Sequence, residues 1–526
     1  MPQPLSLVPQ PLRCTQLDDA PFVLGPGLAV LVGESPDEVA VGVRVADVLG
    51  RITRHAVELR PGASDETAAC VVVLRLDPRA AVPAHASTPL ADADATTAES
   101  YRLTVRPGRV EVVAPTPAGL LGGFVTFRQL LRYSDDGALV APAVHVEDVP
   151  RYRWRGLSVD VARSFFGLED LKVVVSLMTH HKLNVLHLHL TDDQGWRVDL
   201  PSRPRLARTS GSTAVQGGRP GYLCAEALTE LTAYARARNV TVVPEIDVPG
   251  HVNAALHAYP ELTPTGEDPG GYTGVEVGFS RLHADLPATH AFLRDVFTDL
   301  AALTPGEYVH LGGDEVLTMD APEYARLVGA AAEVLRTAGK TVVGWQEVAT
   351  VPLPSGSVVQ LWDLREDLQH VVAATRAGAR LLVSPGSRTY LDMKYDATTV
   401  AGLEWAGHIE LRDAYDWEPA TLAEGVDPQA VIGVEAAVWT ETLHDLDGLM
   451  RMLLPRLAAV AEVAWTVPER RSWEDFRTRV AGQGPMWDAA GLAWHPSPQV
   501  DWPARPSRFG FAPSPAPAAD PAVAGS

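Results

Sequence analysis

The chain has 526 residues, of which 46% are hydrophobic and 21% charged, and its formal net charge is −21. That length exceeds one ordinary core, so two domains and a tail are expected. So acidic a chain, without a basic cluster, argues against nucleic acid as partner, and no apolar run approaches the roughly 20 residues that span a bilayer.

The first residues, Met1 to Arg13, lack the charged start and long apolar stretch of a signal peptide; if the chain is complete, it is expected to be cytoplasmic. Cys14, Cys70 and Cys224 are odd in number and far apart, which fits scattered free thiols better than a disulfide framework or a metal-ligand spacing.

Residues 1–150 are rich in Val, Ala and Pro and read as a small α+β domain. Short alternating runs at 40–45, 70–75, 101–105 and 110–114 predict strands, the last two joined as a hairpin across Pro107-Gly108. A helix over 118–131 would put Leu120, Leu121, Phe124, Phe127, Leu130 and Leu131 on one apolar face. The Ala-, Ser-, Thr- and Asp-rich segment 84–97 reads as a loop.

From Arg151 strand-like runs alternate with helix-length segments, the βαβα signature of a parallel sheet. Strands are predicted at 156–161, 185–190, 240–246, 308–311, 341–345, 357–361, 380–383 and 431–437. Helices are predicted at 168–180, 225–238, 292–303, 321–338 and 368–377. A long helix over 447–465 and another over 473–480 follow. Eight strands in some 300 residues predict a (β/α)8 TIM barrel over 151–495, of class α/β, preceded by the small α+β domain. Residues 496–526 form a Pro/Ala-rich tail, disordered at its end.

The residues that follow each strand carry the chemistry, because ligands bind at the carboxyl ends of parallel strands. They are, in order, Asp160 to Arg163; Asp192-Asp193-Gln-Gly-Trp196; Glu245-Ile-Asp247-Val-Pro-Gly-His251; Asp314-Glu315; Trp345; Trp362; Tyr390 with Asp392; and Trp439-Thr-Glu441. Aromatic faces above carboxylates suit a sugar ring, with its apolar C–H faces and rim of hydroxyls, so the expected partner is a carbohydrate. Singly, Trp345 and Trp362 read as core aromatics, Asp192 and Asp193 as a solvated turn, and His251 as structural. His187 and His189 alternate on one strand and point to one face, where core or supporting roles are preferred to metal ligation.

These segments resemble the glycoside hydrolase family 20 β-N-acetylhexosaminidases. The resemblance is carried by Arg155-Gly-Leu-Ser-Val-Asp-Val-Ala-Arg163, His187-Leu-His-Leu-Thr-Asp-Asp-Gln-Gly-Trp196, Glu245 to His251, His310-Leu-Gly-Gly-Asp-Glu315 and Trp439-Thr-Glu441, and it covers nearly the whole chain. Ser164, where many members have His, and Cys224, where a hydroxyl residue is usual, depart from the pattern. The resemblance implies retaining hydrolysis of terminal β-linked N-acetylglucosamine or N-acetylgalactosamine, assisted by the substrate's own acetamido group, with no metal or organic cofactor. It implies Glu315 as acid and base and Asp314 as the partner of the acetamido N–H. It further implies Tyr390 on the acetamido oxygen, and Trp345, Trp362 and Trp439 as pocket walls. Arg163, Asp392 and Glu441 would hold ring hydroxyls, Trp405 would face the leaving group, and Asp192 and His251 would support Glu315. A non-catalytic sugar-binding barrel and a glycosidase with a carboxylate nucleophile stay open as alternatives.

Overall fold

The computed structural model describes residues 5–62 and 70–503. Eight parallel strands close a barrel in chain order: β1 (Trp154–Asp160), β2 (Val185–His189), β3 (Thr241–Glu245), β4 (Tyr308–His310), β5 (Thr341–Trp345), β6 (Val358–Leu361), β7 (Arg380–Val383) and β8 (Val431–Val438). The ring shuts where β1 pairs with β8, Trp154 opposite Gly433 and Val159 opposite Val438. All eight predicted strands are present, within one or two residues at their ends.

Period-two alternation layers the barrel interior. A lower layer is apolar, made of Trp154, Val185, Val243, Val343, Val358, Leu382 and Ile432. Above it the inward positions turn polar, with His187, Glu245, His310, Gln360 and Glu435 all buried. The helices pack outside, among them Leu168–His180, Ala225–Arg236, Pro287–Leu303, Ala321–Thr337 and Gln369–Arg376. Each buries one apolar stripe, as Leu327, Val328, Ala331 and Leu335 do for the fourth.

The predicted helix over 447–465 is two helices, Leu446–Leu453 and Arg456–Trp465. Pro455 lies between them and has no N–H to continue the ladder. The final predicted helix is Trp473–Ala481. Residues 496–503 remain packed: Val500 is buried, and the Trp502 ring lies 4.6 Å from that of Trp494. The expected disordered end falls on 504–526, outside the described residues.

Residues before the barrel form a seven-stranded mixed sheet whose strand order runs Arg13–Gln16, Val144–Asp148, Tyr101–Arg106, Arg109–Ala114, Val71–Leu76, Ala29–Val32 and Glu58–Pro61. Helices Pro36–Thr53 and Pro117–Leu130 cover it. The hairpin across Pro107-Gly108 and the second helix match the sequence reading. Residues 40–45 do not form a strand: they lie inside Pro36–Thr53, which buries Val41, Val45 and Leu49 at a spacing of four. The segment 84–97 is not wholly loop either, since Leu90–Asp92 is a 3-10 turn and Ala93–Ala98 a short helix. The sheet is joined to the barrel by buried polar contacts: Lys182 Nζ meets Asp148 Oδ2 at 3.0 Å, Trp465 donates to Asp148 Oδ1, and Arg155 pairs with Glu99 at 2.6 Å. All three cysteines are free thiols. Among the described residues no helix is long and apolar enough to cross a membrane.

Candidate active site

The carboxyl end of β4 makes a turn that only glycines can take. Gly312 and Gly313 adopt φ of 73° and 109°, and a Cβ on Gly312 would run into the Asp247 carboxylate. The Gly313 N–H donates to Asp247 Oδ1 at 3.0 Å, and Tyr324 Oη donates to the Gly313 carbonyl at 2.7 Å. This anchored turn delivers Asp314 and Glu315. Glu315 has φ of 48°, and His251, facing it after β3, has φ of 53°. Two non-glycine residues held in the left-handed region mark a strained, over-determined site.

His251 Nε2 lies 3.4 Å from Glu315 Oε2 and 3.7 Å from Asp314 Oδ2. Its Nδ1 meets Asp192 Oδ1 at 3.2 Å. Asp192 Oδ2 also receives Arg163 Nη2 at 2.7 Å and His189 Nε2 at 2.8 Å. Burial alone would depress the His251 pKa, but Asp192, Asp314 and Glu315 together hold it well above the usual histidine value. Burial pushes the Asp192 carboxyl upward, and Arg163, His251 and His189 outweigh it, so Asp192 sits far below the usual range. Asp314 is held up by burial and by the charge of Glu315, against the pull of His251. Asp247 is raised strongly, by burial and then by Asp314. Of the two neighbouring carboxyls Asp247 is thus the more strongly raised, and the one that holds a proton more readily.

Arg163 is set by the end of β1. Asp160 Oδ1 accepts the N–H groups of Ala162 and Arg163 at 2.7 and 3.0 Å, while its Oδ2 accepts Thr440 N–H from the end of β8. The guanidinium then donates to Gln194 and lies 5.1 Å from the Trp439 ring. Glu441 stands beside it as an electrostatic neighbour, and Asp392 stands beside Glu441. Burial and then Glu441 raise Asp392, while burial raises Glu441 against Arg163. Neither oxygen of Asp392 meets a side-chain donor among the described residues, although the residue is buried. Buried Arg456 fixes that loop by donating to the carbonyls of Leu391 and Met393 at 2.6 and 2.7 Å.

The aromatic residues form one continuous wall. Ring centroids of Trp345 and Trp439 are 5.9 Å apart, those of Tyr390 and Trp439 5.9 Å, and Tyr390 stacks at 13° on Trp362. Trp405 closes the row edge-on to Trp362 and Tyr390 and is 43% exposed, which places it at the rim. The structure thus gathers every site residue expected from the sequence at one barrel mouth.

Three others belong there that sequence reasoning left without a role. Glu347, two residues after Trp345, accepts from Trp362 Nε1 at 3.3 Å and is pushed up to about 8 by burial and by Asp314. Asp247 stood in a quoted motif, yet its pairing with Asp314 depends on β3 lying beside β4. Gln194, which ties Arg163 to the Gly274 carbonyl, likewise stood in a quoted motif without a role. Donor atoms of Asp192, Asp193 and His251 lie within 4.8 Å of one another, as do those of Asp247, His251 and Asp314. A cation could bridge either trio; in the first, Arg163 and His251 already lie against Asp192.

The chain is similar to known proteins of one family. The sequence model described as "Glycosyl hydrolase family 20, catalytic domain" matches residues 152–322 and 321–468, and "Glycosyl hydrolase family 20, domain 2" matches 5–149. The chain is 59% identical over 508 residues to a β-N-acetylhexosaminidase of Cellulomonas fimi, covering 97% of this chain and 99% of that one. It is 31% identical to a β-hexosaminidase of Vibrio furnissii, over 87% and 76% of the two chains. Among solved structures, N-acetyl-β-hexosaminidase of Streptomyces plicatus in complex with Thio-NAglucal superposes with a TM-score of 0.87 at 39% identity, over 95% of this chain and 98% of that one.

Proposed function

The chain belongs to glycoside hydrolase family 20, and from that premise we propose that it is an exo-acting, retaining β-N-acetylhexosaminidase. Its substrates are glycosides ending in β-linked N-acetylglucosamine or N-acetylgalactosamine. The observation that carries this reading is the pairing of Asp314 and Glu315 on one turn, both within 4 Å of His251 Nε2, at the mouth of an aromatic pocket. Adjacent acids cannot bracket a sugar ring as acid and nucleophile; they can serve a substrate that brings its own nucleophile.

In the proposed reaction the 2-acetamido oxygen attacks the anomeric carbon and the glycosidic C–O bond breaks. Glu315 gives its proton to the departing oxygen, leaving a bicyclic oxazolinium ion. Glu315 then takes a proton from water, which attacks the same carbon from the vacated side and restores the β-configuration. Asp314, in its ionised form and with the more strongly raised Asp247 near it, accepts the acetamido N–H and offsets the positive charge that develops. Tyr390 donates to the acetamido oxygen, and Trp345, Trp362 and Trp439 enclose its methyl group. Arg163, Asp392 and Glu441 select the ring hydroxyls through directional, charged hydrogen bonds. The names of the relatives, and a solved complex of a Streptomyces plicatus mutant with its product GlcNAc, support the same substrate class.

The rival reading, a glycosidase with a protein nucleophile, would need an ionised carboxylate near Glu315. Glu347 feels the charge of Glu315 and is one such group, but at about 8 it is protonated at neutral pH, which suits a hydrogen-bond donor and not a nucleophile. A thiazoline mimic of the bicyclic ion should inhibit competitively and far more tightly than N-acetylglucosamine. The matching β-glucoside should be almost inert at saturation. Trapping a 2-fluoro sugar as an ester on any carboxylate would replace this mechanism with the rival one.

A further inference from the structure

Below the pocket, five buried titratable groups have no part in the reaction above: His187, His189, His310, Glu245 and Glu435. They continue the path that begins at Glu315. From His251 it passes to Asp192 and then to His189, whose Nδ1 lies 2.6 Å from Glu245 Oε2. His187 follows, 3.0 Å from the same oxygen through Nε2 and 2.9 Å from Glu435 Oε1 through Nδ1. Both ring nitrogens of His189 thus face carboxylate oxygens at hydrogen-bond distance. A neutral imidazole has one N–H and cannot serve both.

We infer that Glu245 and His189 form a buried positioning ion pair that orients Asp192 and, through it, the His251 imidazole that stands against Glu315. The inference rests on the hexosaminidase reading above. None of these groups touches the substrate; they act through Asp192 and His251.

The surroundings of the pair favour this role. Asp192 is clamped by His189 and Arg163 on Oδ2 and by His251 and the Asp193 N–H on Oδ1, at 2.6 to 3.2 Å. Glu245 is clamped on Oε1 by Trp345 Nε1 at 2.9 Å, with His310 3.0 Å away. One carboxylate therefore anchors both a pocket wall and the support of the acid. The Trp439 ring stands edge-on to His189 at 5.0 Å, leaving the imidazole little freedom to turn. Burial works against charge on His189, yet Glu245 and Asp192 hold its pKa well above the ordinary value, and Glu245 is itself held low by His189, His310 and His187. The other charged groups facing this path are Asp247 beside Glu245, Asp193 and Asp314 beside His251, Asp160 beside Arg163, and Glu347 beside Asp314.

Glu245→Gln tests the pair. The amide can accept from Trp345 and donate to His189 Nδ1, so the contacts persist while His189 becomes neutral. A cation is then lost near His251 and an anion is lost one residue farther away. The field at His251 turns more negative, and the alkaline limb of kcat/KM should move to higher pH by about half a unit or more, with kcat down about tenfold. An unmoved limb beside a lowered kcat would make Glu245 merely structural and overturn the inference. If the variant does not fold, neutron diffraction of the wild-type protein at pH 7 decides the matter. Deuterium on both nitrogens of His189 is expected, and deuterium on one alone overturns the pair. A wild-type protein that cleaves no N-acetylhexosaminide would sink the functional reading instead, while the neutron result would still report the charge of His189.

Discussion

His251 reaches from the end of β3 to within 3.4 Å of the Glu315 carboxylate at the end of β4, and its other ring nitrogen is held by Asp192. That arrangement gives Glu315 a fixed, charged neighbour on its buried side and leaves 31% of its side chain open toward the mouth. Such a group can pass a proton outward. Glu315→Gln keeps the shape and removes the proton, so cleavage of a disaccharide should fall by about 10² to 10⁴. An activated aryl glycoside, whose leaving group needs less protonation, should lose less in its first step. A variant that cleaves the disaccharide at the wild-type rate would take Glu315 out of the role.

The same buried groups fix the stability profile. His187 is depressed by burial but raised, by Glu245 and Glu435, from an ordinary 6.5 to about 9, and His189 and His251 are raised too. A raised histidine contributes stability that is complete below 6.5 and is lost as pH climbs through its folded value. The raised acids act in the same sense: Glu347, at about 8, makes the native state hold a proton that the unfolded chain has already released. Asp192 and Glu245 are depressed, and their contribution disappears only as pH falls below the ordinary carboxylate range. Thermal melts across pH 4 to 9 should therefore give the highest Tm at about pH 5 to 6, declining toward 9. A maximum at pH 8 would contradict these assignments.

Much of this was legible in advance, and the misses have physical causes. Each barrel strand was bounded by its apolar run, and the strand-end rule then put Arg163, Glu315 and Glu441 at one mouth although 278 positions separate the first from the last. The run 40–45 alternates as a strand does, and only its continuation to Leu49 exposes the helical spacing. Pro455 was a visible breaker inside an otherwise unbroken apolar pattern. The roles of Asp247 and Glu347 could not be read at all. Each depends on a neighbour across strands, and a carboxyl's charge is set by what surrounds it in space.

Asp247 offers a sharper test than truncation. Its Oδ1 holds the Gly313 N–H, and the nearby Asp314 charge raises its carboxyl. Asp247→Asn keeps an acceptor for Gly313 and supplies an amide donor for Asp314, so activity should fall by about tenfold or less. Asp247→Ala leaves the turn N–H unpaired and the Asp314 charge alone, and should cost about 10² or more in kcat, with a lower Tm. Equal losses in the two variants would show that Asp247 supports the backbone turn only.

The aromatic wall separates binding from folding. Trp345 is fully buried and tied to Glu245, whereas Trp439 is only partly buried and touches Trp345, Tyr390 and the Arg163 guanidinium. Trp439→Ala should weaken an N-acetyl inhibitor by about 2 kcal/mol, roughly thirtyfold, while lowering Tm by a few degrees. Trp345→Ala should unfold the barrel more readily, at about 3 to 5 kcal/mol. Calorimetric binding beside melting curves would separate them; normal affinity in folded Trp439→Ala would return that ring to the core.

Substrate assistance is tested most directly at Asp314. The residue is half-buried on the turn, 13% exposed by its side chain, with Glu315 beside it and the strongly raised Asp247 near it. It can accept the acetamido N–H and balance the charge of an oxazolinium ion only while ionised. Asp314→Asn presents an amide that can still meet the N–H through its oxygen, yet it carries no charge. Ground-state binding of N-acetylglucosamine should therefore change little, while kcat falls by about 10² to 10³ and the thiazoline mimic loses affinity in proportion. That parallel loss is the signature of a group working on the charged species and not on the substrate. If the variant binds the mimic as tightly as the wild type while losing turnover, Asp314 acts at some other step, and the acetamido group must be held by other donors and acceptors in the pocket.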